Sequence, residues 1–269
     1  MPADSYNATL TKRLEIAPGL IILRVAADDP LFRFEAGQYT VLGLERKEPR
    51  IVGEDEADAP GDPRRLIKRA YSIASSSRAS EYAEFYVTLV SSGELTPRLF
   101  VLGEGGRLFM GPKATGVFTL ARVPEGRHVF LVATGTGLAP YVSMLRSELV
   151  YGGDRRFVVL HGARYSWDLG YRTELSVLAG QCANLTYLPV VSRARDDSTW
   201  SGLTGHLQDV LFSGIVEERS GIRLSPDGVH VFLCGNPAMI TAAKEGLVAR
   251  GFTPDKARAI GNIHTEEYW

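Results

Sequence analysis

Val129-Phe130-Leu131-Val132-Ala133, with the turn Thr134-Gly135-Thr136-Gly137-Leu138-Ala139-Pro140 behind it, decides the fold. Five apolar residues without alternation are what a strand buried on both faces requires, since neither side meets water. The glycines mark a tight turn, and Pro140 opens a helical stretch that runs to about residue 150. Downstream the rhythm repeats. Phe157-Val158-Val159-Leu160-His161, Leu185-Thr186-Tyr187-Leu188-Pro189-Val190-Val191 and Val229-His230-Val231-Phe232-Leu233-Cys234 read as further buried strands, with helices between them. Buried strands alternating with helices predict a parallel sheet covered on both faces.

Upstream the pattern is different. Ile21-Ile22-Leu23-Arg24-Val25, Tyr39-Thr40-Val41-Leu42-Gly43-Leu44, Ala70-Tyr71-Ser72-Ile73-Ala74 and Glu84-Phe85-Tyr86-Val87-Thr88-Leu89-Val90 are short, β-branched or aromatic, and separated by turn residues. Such strands favour a closed antiparallel barrel. One helix interrupts them, beginning at Thr96-Pro97, where Thr can cap and Pro can take the first helical position, and stopping near Gly103. The stretch from Glu45 to Lys68 carries Pro49, Gly53, Pro60, Gly61, Pro63 and many charges, and reads as a long solvated insertion between two barrel strands with room for a short hairpin, a partner-binding loop being the alternative. The expectation is a two-domain chain: an antiparallel β-barrel over residues 1–123, then an α/β parallel-sheet domain over 124–269, the two meeting at the turn-like Val123-Pro124-Glu125-Gly126.

A length of 269 residues suits two domains. The formal net charge of -1 gives no reason to expect nucleic acid as a partner, though it permits a local basic patch. The polar start of the chain argues against a secretory signal. No apolar run approaches the roughly 20 residues that span a bilayer. A cytoplasmic protein is therefore expected. The two cysteines, Cys182 and Cys234, cannot ligate an ordinary four-cysteine iron–sulfur cluster, and no metal site is expected. Cys182 receives no role.

Several short motifs carry chemistry. In Arg69-Ala70-Tyr71-Ser72-Ile73, strand alternation sets Arg69, Tyr71 and Ile73 on one face and Ser72 on the other. A cation, a flat ring and a small hydroxyl are what a flavin dinucleotide needs near its pyrophosphate, its ring and N5; a core tyrosine flanked by surface polar residues fits the same five residues equally well. Gly93-Glu94-Leu95-Thr96-Pro97 offers close backbone approach and a helix start, which suits phosphate as well as simple capping. The Thr134–Gly137 turn is not a GxGxxG fingerprint, yet it lies at the carboxyl end of a parallel strand, where open α/β sheets bind ligands.

Taken in order, Arg-x-Tyr-Ser-Ile, Gly-x-Leu-Thr-Pro-Arg-Leu, Gly111-Pro112-Lys113-Ala114-Thr115-Gly116, Gly135-Thr136-Gly137-Leu138-Ala139-Pro140, Cys234-Gly235-Asn236-Pro237 and the terminal Glu266-Glu267-Tyr268-Trp269 resemble the ferredoxin–NADP reductase superfamily, over nearly the whole chain. The resemblance implies FAD and NADP(H) as cofactors. Arg69 would contact the FAD pyrophosphate, within the segment that also holds Ala70 and Ile73. Tyr71 would stack on one flavin face, and Ser72 would hydrogen-bond near N5. Gly93, Leu95 and Thr96 would hold phosphate, and Gly116 would line the flavin site. Tyr268 would cover the other flavin face and Trp269 would reach toward the adenine, so the tail returns to the flavin. Thr136 and Gly137 would let the nicotinamide dinucleotide pass close to the backbone. Cys234 would sit beside the nicotinamide as a positioning group, with Glu266 (Glu267 the neighbouring alternative) as the carboxylate near hydride transfer. Arg164 and Arg193 match the relatives' contacts to the 2′-phosphate, and Arg195 could add to them. Where relatives often carry arginine, this chain has His206, which weakens the expected selectivity for NADP.

The implied activity is hydride transfer between NADPH and flavin N5, with one-electron exchange to ferredoxin or flavodoxin, by a monomer. Ser72, Cys234, Glu266 and Tyr268 form the implied catalytic set. Two other readings stay open: an NAD(P)H-dependent flavin or oxygenase-component reductase, and a flavin-binding regulatory module without turnover.

Overall fold

The structure, a computed structural model, describes residues 6–51, 61–79 and 81–267. Its contacts divide into two compact units. One runs to Thr119 and takes in Ala139–Ser147, and the other comprises Leu120–Leu138 and the chain from Glu148 onward.

The first unit is built on a six-stranded antiparallel sheet in the order β4-β3-β6-β1-β2-β5. The strands are β1 (Ala8–Ala17), β2 (Leu20–Ala27), β3 (Tyr39–Glu45), β4 (Leu66–Ser72), β5 (Ala83–Thr88) and β6 (Arg107–Met110). Its two outer strands meet just past the end of β4, where Ile73 pairs with Phe85 and the Ala74 amide donates to the Glu84 carbonyl at 2.7 Å. That bridge brings the sheet's two outer strands together at one end, as a barrel requires, while the rest of β4 keeps an unpaired outer edge. Leu10, Leu23, Leu42, Phe85, Leu99 and Leu108 are among the residues that fill it.

Two strands, β1 and β6, were not expected. β1 carries Lys12, Arg13 and Glu15, and its pairing with β2 slips between Leu10 and Lys12 and again between Glu15 and Ala17, so it lacks a steady period of two. β6 is four residues long. The base of the insertion carries a short hairpin, as the sequence allowed. Leu66–Ser72 is already strand, and Arg46 to Arg65 and Lys47 to Pro63 backbone bonds extend the β3–β4 hairpin outward. The helix α1 (Thr96–Leu99) has Leu95, not Thr96, at its cap, and it ends before Gly103. Thr96 cannot cap because its hydroxyl is committed: it donates to the Val90 carbonyl at 3.1 Å and accepts from the Val90 amide at 3.0 Å.

The second unit holds a six-stranded sheet in the order β10-β9-β8-β7-β11-β12, parallel in every pairing. Its strands are β7 (His128–Thr134), β8 (Phe157–Ala163), β9 (Leu185–Val191), β10 (Leu203–Thr204), β11 (Val229–Cys234) and β12 (Ile263–Glu266). Around them lie helices α3 (Arg172–Gln181), α4 (Leu207–Phe212), α5 (Ile215–Ser220) and α6 (Pro237–Val248). The central strands read as unalternating apolar runs because both faces are packed; Val129 through Ala133 are at most 1% exposed. The chain runs outward from β7 through β8, β9 and β10, then returns to the other side of β7 for β11 and β12. The strand order therefore reverses between β7 and β11.

Helix α2 (Ala139–Glu148) continues directly from the 3-10 turn Gly135–Leu138 that ends β7, yet residues 139–147 group with the barrel. Among the described residues, no helix is long and apolar enough to cross a membrane.

Candidate functional site

In open α/β sheets ligands settle beyond the carboxyl ends of the strands, where the strand order reverses. Here that place lies between the ends of β7 and β11, and the chain is unusually tight there. A Cβ on Gly137 would stand 2.6 Å from the Cys234 carbonyl oxygen. One on Gly235, whose φ is +123°, would fall 2.6 Å from the Thr134 carbonyl oxygen. The Asn236 amide donates to the Thr134 hydroxyl at 2.7 Å. Asn236 in turn caps α6, its side-chain oxygen accepting from the amides of Ala238 and Met239. Two glycines and one threonine thus let two backbone turns touch; the contact itself is buried, and Thr134, Thr136, Asn236 and Pro237 lie on the accessible side of the turns.

The same register brings together two residues far apart in sequence. Cys234 ends β11 opposite Glu266 on β12, with Ala133 of β7 on its other side. Cys234 is fully buried. Burial pushes its thiol well above the ordinary value, the Glu266 carboxylate pushes it further, and a hydrogen bond from the Gly235 backbone only partly offsets them. A thiol held protonated in this way is a neutral packing and hydrogen-bonding group, not a nucleophile. Glu266 is half-buried and Glu267 exposed. Thr136 lies half-buried in the turn. Tyr268 and Trp269 lie outside the described residues.

Further along the sheet, the expected cations gather. Arg164 follows β8, Arg193 follows β9, and the Arg193 amide donates to the Arg164 carbonyl at 2.9 Å. Arg195 lies in the next turn, and His206 follows β10 at the cap of α4; all four side chains are exposed. Arg193 lies 5.7 Å over the Tyr165 ring, which stacks on Trp167 at 4.7 Å and 9°. Of the nearby acids, Asp197 accepts from the Ser166 amide at 2.7 Å and the Thr199 hydroxyl at 2.8 Å, while the exposed Asp196 acts on Arg193 through its charge. Sequence reading missed the Tyr165–Trp167 pair, although two aromatics directly after a parallel strand and its arginine were a usable signal.

In the barrel, the Arg69–Ile73 segment does not keep a clean alternation. Lys68, Arg69 and Ala70 are all exposed, Tyr71 is half-buried against the core, and Ser72 and Ile73 are buried. β4 stands first in the strand order, flanked along its length only by β3, so its middle is left open to solvent. Burial raises the Tyr71 phenol above its ordinary value, with Arg69 pulling weakly the other way, so the ring is neutral. Among the described residues Arg69 makes no ion pair; one of its guanidinium nitrogens donates to the Lys68 carbonyl at 2.7 Å.

The Gly93–Thr96 segment offers backbone rather than hydroxyl. The Gly93 amide is spent on Val90 at 2.9 Å, whereas the amides of Glu94, Leu95 and Thr96 meet no acceptor among the described residues. Arg46 and Arg65 both reach the Glu94 carboxylate, at 2.6 and 2.7 Å, tying the insertion's base to this segment. Gly116 is half-buried, its carbonyl accepting from Gln38 at 3.3 Å. No group of three or more metal-ligating side chains occurs among the described residues.

Comparison with known proteins puts these features in a family. The oxidoreductase NAD-binding domain profile matches residues 131–245. Ferredoxin--NADP reductase B of Sorangium cellulosum is 35% identical, over 99% of this chain and 98% of its own. Flavodoxin/ferredoxin--NADP reductase of Escherichia coli K12 is 34% identical, over 88% of each chain. Among solved structures, a ferredoxin NADP+ reductase from Neisseria gonorrhoeae with bound FAD and NADP shares the fold, with a TM-score of 0.83 at 23% identity, covering 99% of this chain and all of that one.

Proposed function

The chain belongs to the ferredoxin/flavodoxin–NADP reductase family, and from that premise we propose that it exchanges electrons between NADP(H) and a ferredoxin or flavodoxin through bound FAD. The observation that carries the reading is the pairing of a protonated thiol, Cys234, with a carboxylate, Glu266, beside the close backbone meeting of the 134–137 and 234–236 turns.

The residues present fit both cofactors. In the barrel, a neutral half-buried ring at Tyr71, the buried Ser72, and an arginine without an acid partner and three amides without acceptors among the described residues suit an aromatic ring joined to a pyrophosphate. In the second unit, the turn surface suits close passage of a dinucleotide, and the exposed arginines suit a phosphate dianion, which guanidinium pairs with bidentately. When bound, FAD supplies the hydride and one-electron chemistry that joins a two-electron donor to a one-electron carrier.

What the chain itself contributes is placement. Ser72 would offer a hydroxyl to bound flavin, and Cys234 and Glu266 would hold the nicotinamide; positioning of reactants lowers a barrier by several kcal/mol. Arg69 and the 94–96 amides hold the pyrophosphate, and Gly116 leaves room beside the ring. Arg164, Arg193 and Arg195 hold the 2′-phosphate, with Tyr165 as the flat surface next to it.

Anaerobic addition of NADPH to the FAD-loaded protein should bleach its visible absorbance, and oxidised ferredoxin or flavodoxin should then restore it. A spectrum unmoved by NADPH rejects the reading. Restoration by free flavin alone would instead place the chain among flavin reductases. For cofactor choice, Arg193→Ala should weaken NADPH by roughly 10- to 100-fold, the worth of one charge-assisted phosphate contact, and leave NADH nearly unchanged. Equal loss for both would remove Arg193 from the 2′-phosphate site.

A further inference from the structure

We propose that helix α2 holds Ser72 in place for hydride transfer, with Arg146 and Ser143 as positioning residues, an inference that rests on the function proposed above.

Segment 74–77, one residue beyond Ser72 at the end of β4, is gripped from two sides. On one side β5 holds it. The Ala74 amide donates to the Glu84 carbonyl at 2.7 Å, and the Ser75 hydroxyl accepts from the Glu84 amide at 3.1 Å. On the other side stands α2. Arg146 donates to the Ala74 carbonyl at 3.0 Å and the Ser143 hydroxyl to the Ser75 carbonyl at 2.7 Å. The Ser77 amide donates to the Ser147 hydroxyl at 2.9 Å, and the Ser76 hydroxyl to the Arg146 carbonyl at 3.2 Å. Ser143, Arg146 and Ser147 have the i, i+3, i+4 spacing of one helix face.

Behind them lies a buried charge. The Glu84 carboxylate, 1% exposed, joins Arg146 at 2.7 Å and Arg24 at 2.8 Å. Burying an ion pair costs desolvation that apolar packing would avoid, so it is a poor device for mere adhesion. It is a good one for fixing direction, because each bond tolerates little displacement. The bonded atoms here are mostly the backbone of the residues that follow Ser72.

The helix that does this is also the unbroken continuation of the Gly135–Leu138 turn. A dinucleotide ordering that turn would order the start of α2, and the three polar side chains would pass the order to segment 74–77. Ser72 would then be steadied by arrival of its own reductant.

The test uses the full FAD-loaded chain with Arg146→Ala, Arg146→Lys and Ser143→Ala. Arg146→Ala leaves Glu84 paired with Arg24, and Ser143→Ala touches no charge, so a folded variant is available either way. Rapid mixing with NADPH reads the limiting bleaching rate and the half-saturation separately. The expected result for Arg146→Ala is a limiting rate lower by about tenfold or more, a cost typical of slight misplacement, with half-saturation within about twofold. Arg146→Lys should recover part of the rate, and Ser143→Ala should fall between. Without turnover, NADP+ should slow amide hydrogen exchange in segment 74–77 of the unaltered protein and fail to do so in Arg146→Ala. Unchanged limiting rates, or rates that fall only in step with melting temperature and half-saturation, would overturn the inference. An unaltered protein that NADPH does not bleach brings down the parent reading, and this one with it.

Discussion

Gly235→Ala is expected to lose dinucleotide binding while keeping its flavin. Two costs meet at this position. The backbone sits at a φ of +123°, where a side chain is strained. The new methyl would also be driven into Thr134, within 2.6 Å of its carbonyl oxygen and 2.9 Å of its amide nitrogen. Backbone cannot swing aside as a flexible side chain can, so the two turns must part. Strain and overpacking together come to roughly 2–6 kcal/mol of stability. The Asn236–Thr134 bond is stretched by the same movement, and with it the cap of α6. Titration with NADP+ should show a loss of about 100-fold or more, as expected where a small misplacement disrupts a closely fitted site. FAD content should be unaffected, because no barrel residue is altered. Wild-type affinity in a stable Gly235→Ala protein would show that the touching turns are not where the dinucleotide passes.

The second large effect is of pH. All five histidines of the chain, His128, His161, His206, His230 and His264, belong to the second unit, and the barrel unit has none. Three of them are buried. His161, fully enclosed with one ring nitrogen 3.0 Å from the Tyr187 hydroxyl, is pushed by burial down to about 3. His230 and His264 face each other at 2.9 Å; burial lowers both, and Asp255 only partly opposes it. His264 also stacks on Phe232, while Arg122, paired with Asp255, adds to the lowering.

The sign follows directly. These rings are neutral when folded, whereas the unfolded chain protonates them near the ordinary value of 6.5. Stability is therefore complete above that value and drains as pH falls from 6.5 toward 3, since the unfolded state alone takes up protons. At about pH 4, His161 by itself would cost roughly 3 kcal/mol. Hydrogen exchange across this range should accelerate in β7 to β12 well before it does in β1 to β6. His161→Gln, which keeps a polar partner for Tyr187 without a titrating ring, should flatten the slope. Exchange that quickens equally in both units, or an unchanged slope in the variant, would refute this account.

Much of the second unit could be read directly from residues. β7, β8, β9 and β11 announce themselves because strands covered on both faces have no polar phase, and the glycine turn after β7 marks the carboxyl end of the sheet. The neighbourhood of Cys234 and Glu266 could not be read this way. β12 is only four residues long, and its pairing with β11 spans about thirty intervening residues, so nothing local encodes it; only the family resemblance placed Glu266 near the reaction. In the barrel, β1 stayed hidden behind its charges and its two register slips. The Thr96 cap was misread for a different reason. Threonine before proline is a sound local signal, but a tertiary partner, Val90, had taken the hydroxyl. The grip of α2 on segment 74–77 was illegible for the same reason as β12: serines and an arginine on a helix look like a solvated face until the partner strand is known.

The grouping of residues 139–147 with the barrel bears on how such a chain can be divided. A gene cut at residue 123, the point where the sequence changes rhythm, would yield a first fragment stripped of part of its own wall. Glu84 would keep Arg24 and forfeit its other guanidinium. Exchange of whole halves between related reductases at that point would therefore transplant a helix fitted to somebody else's barrel.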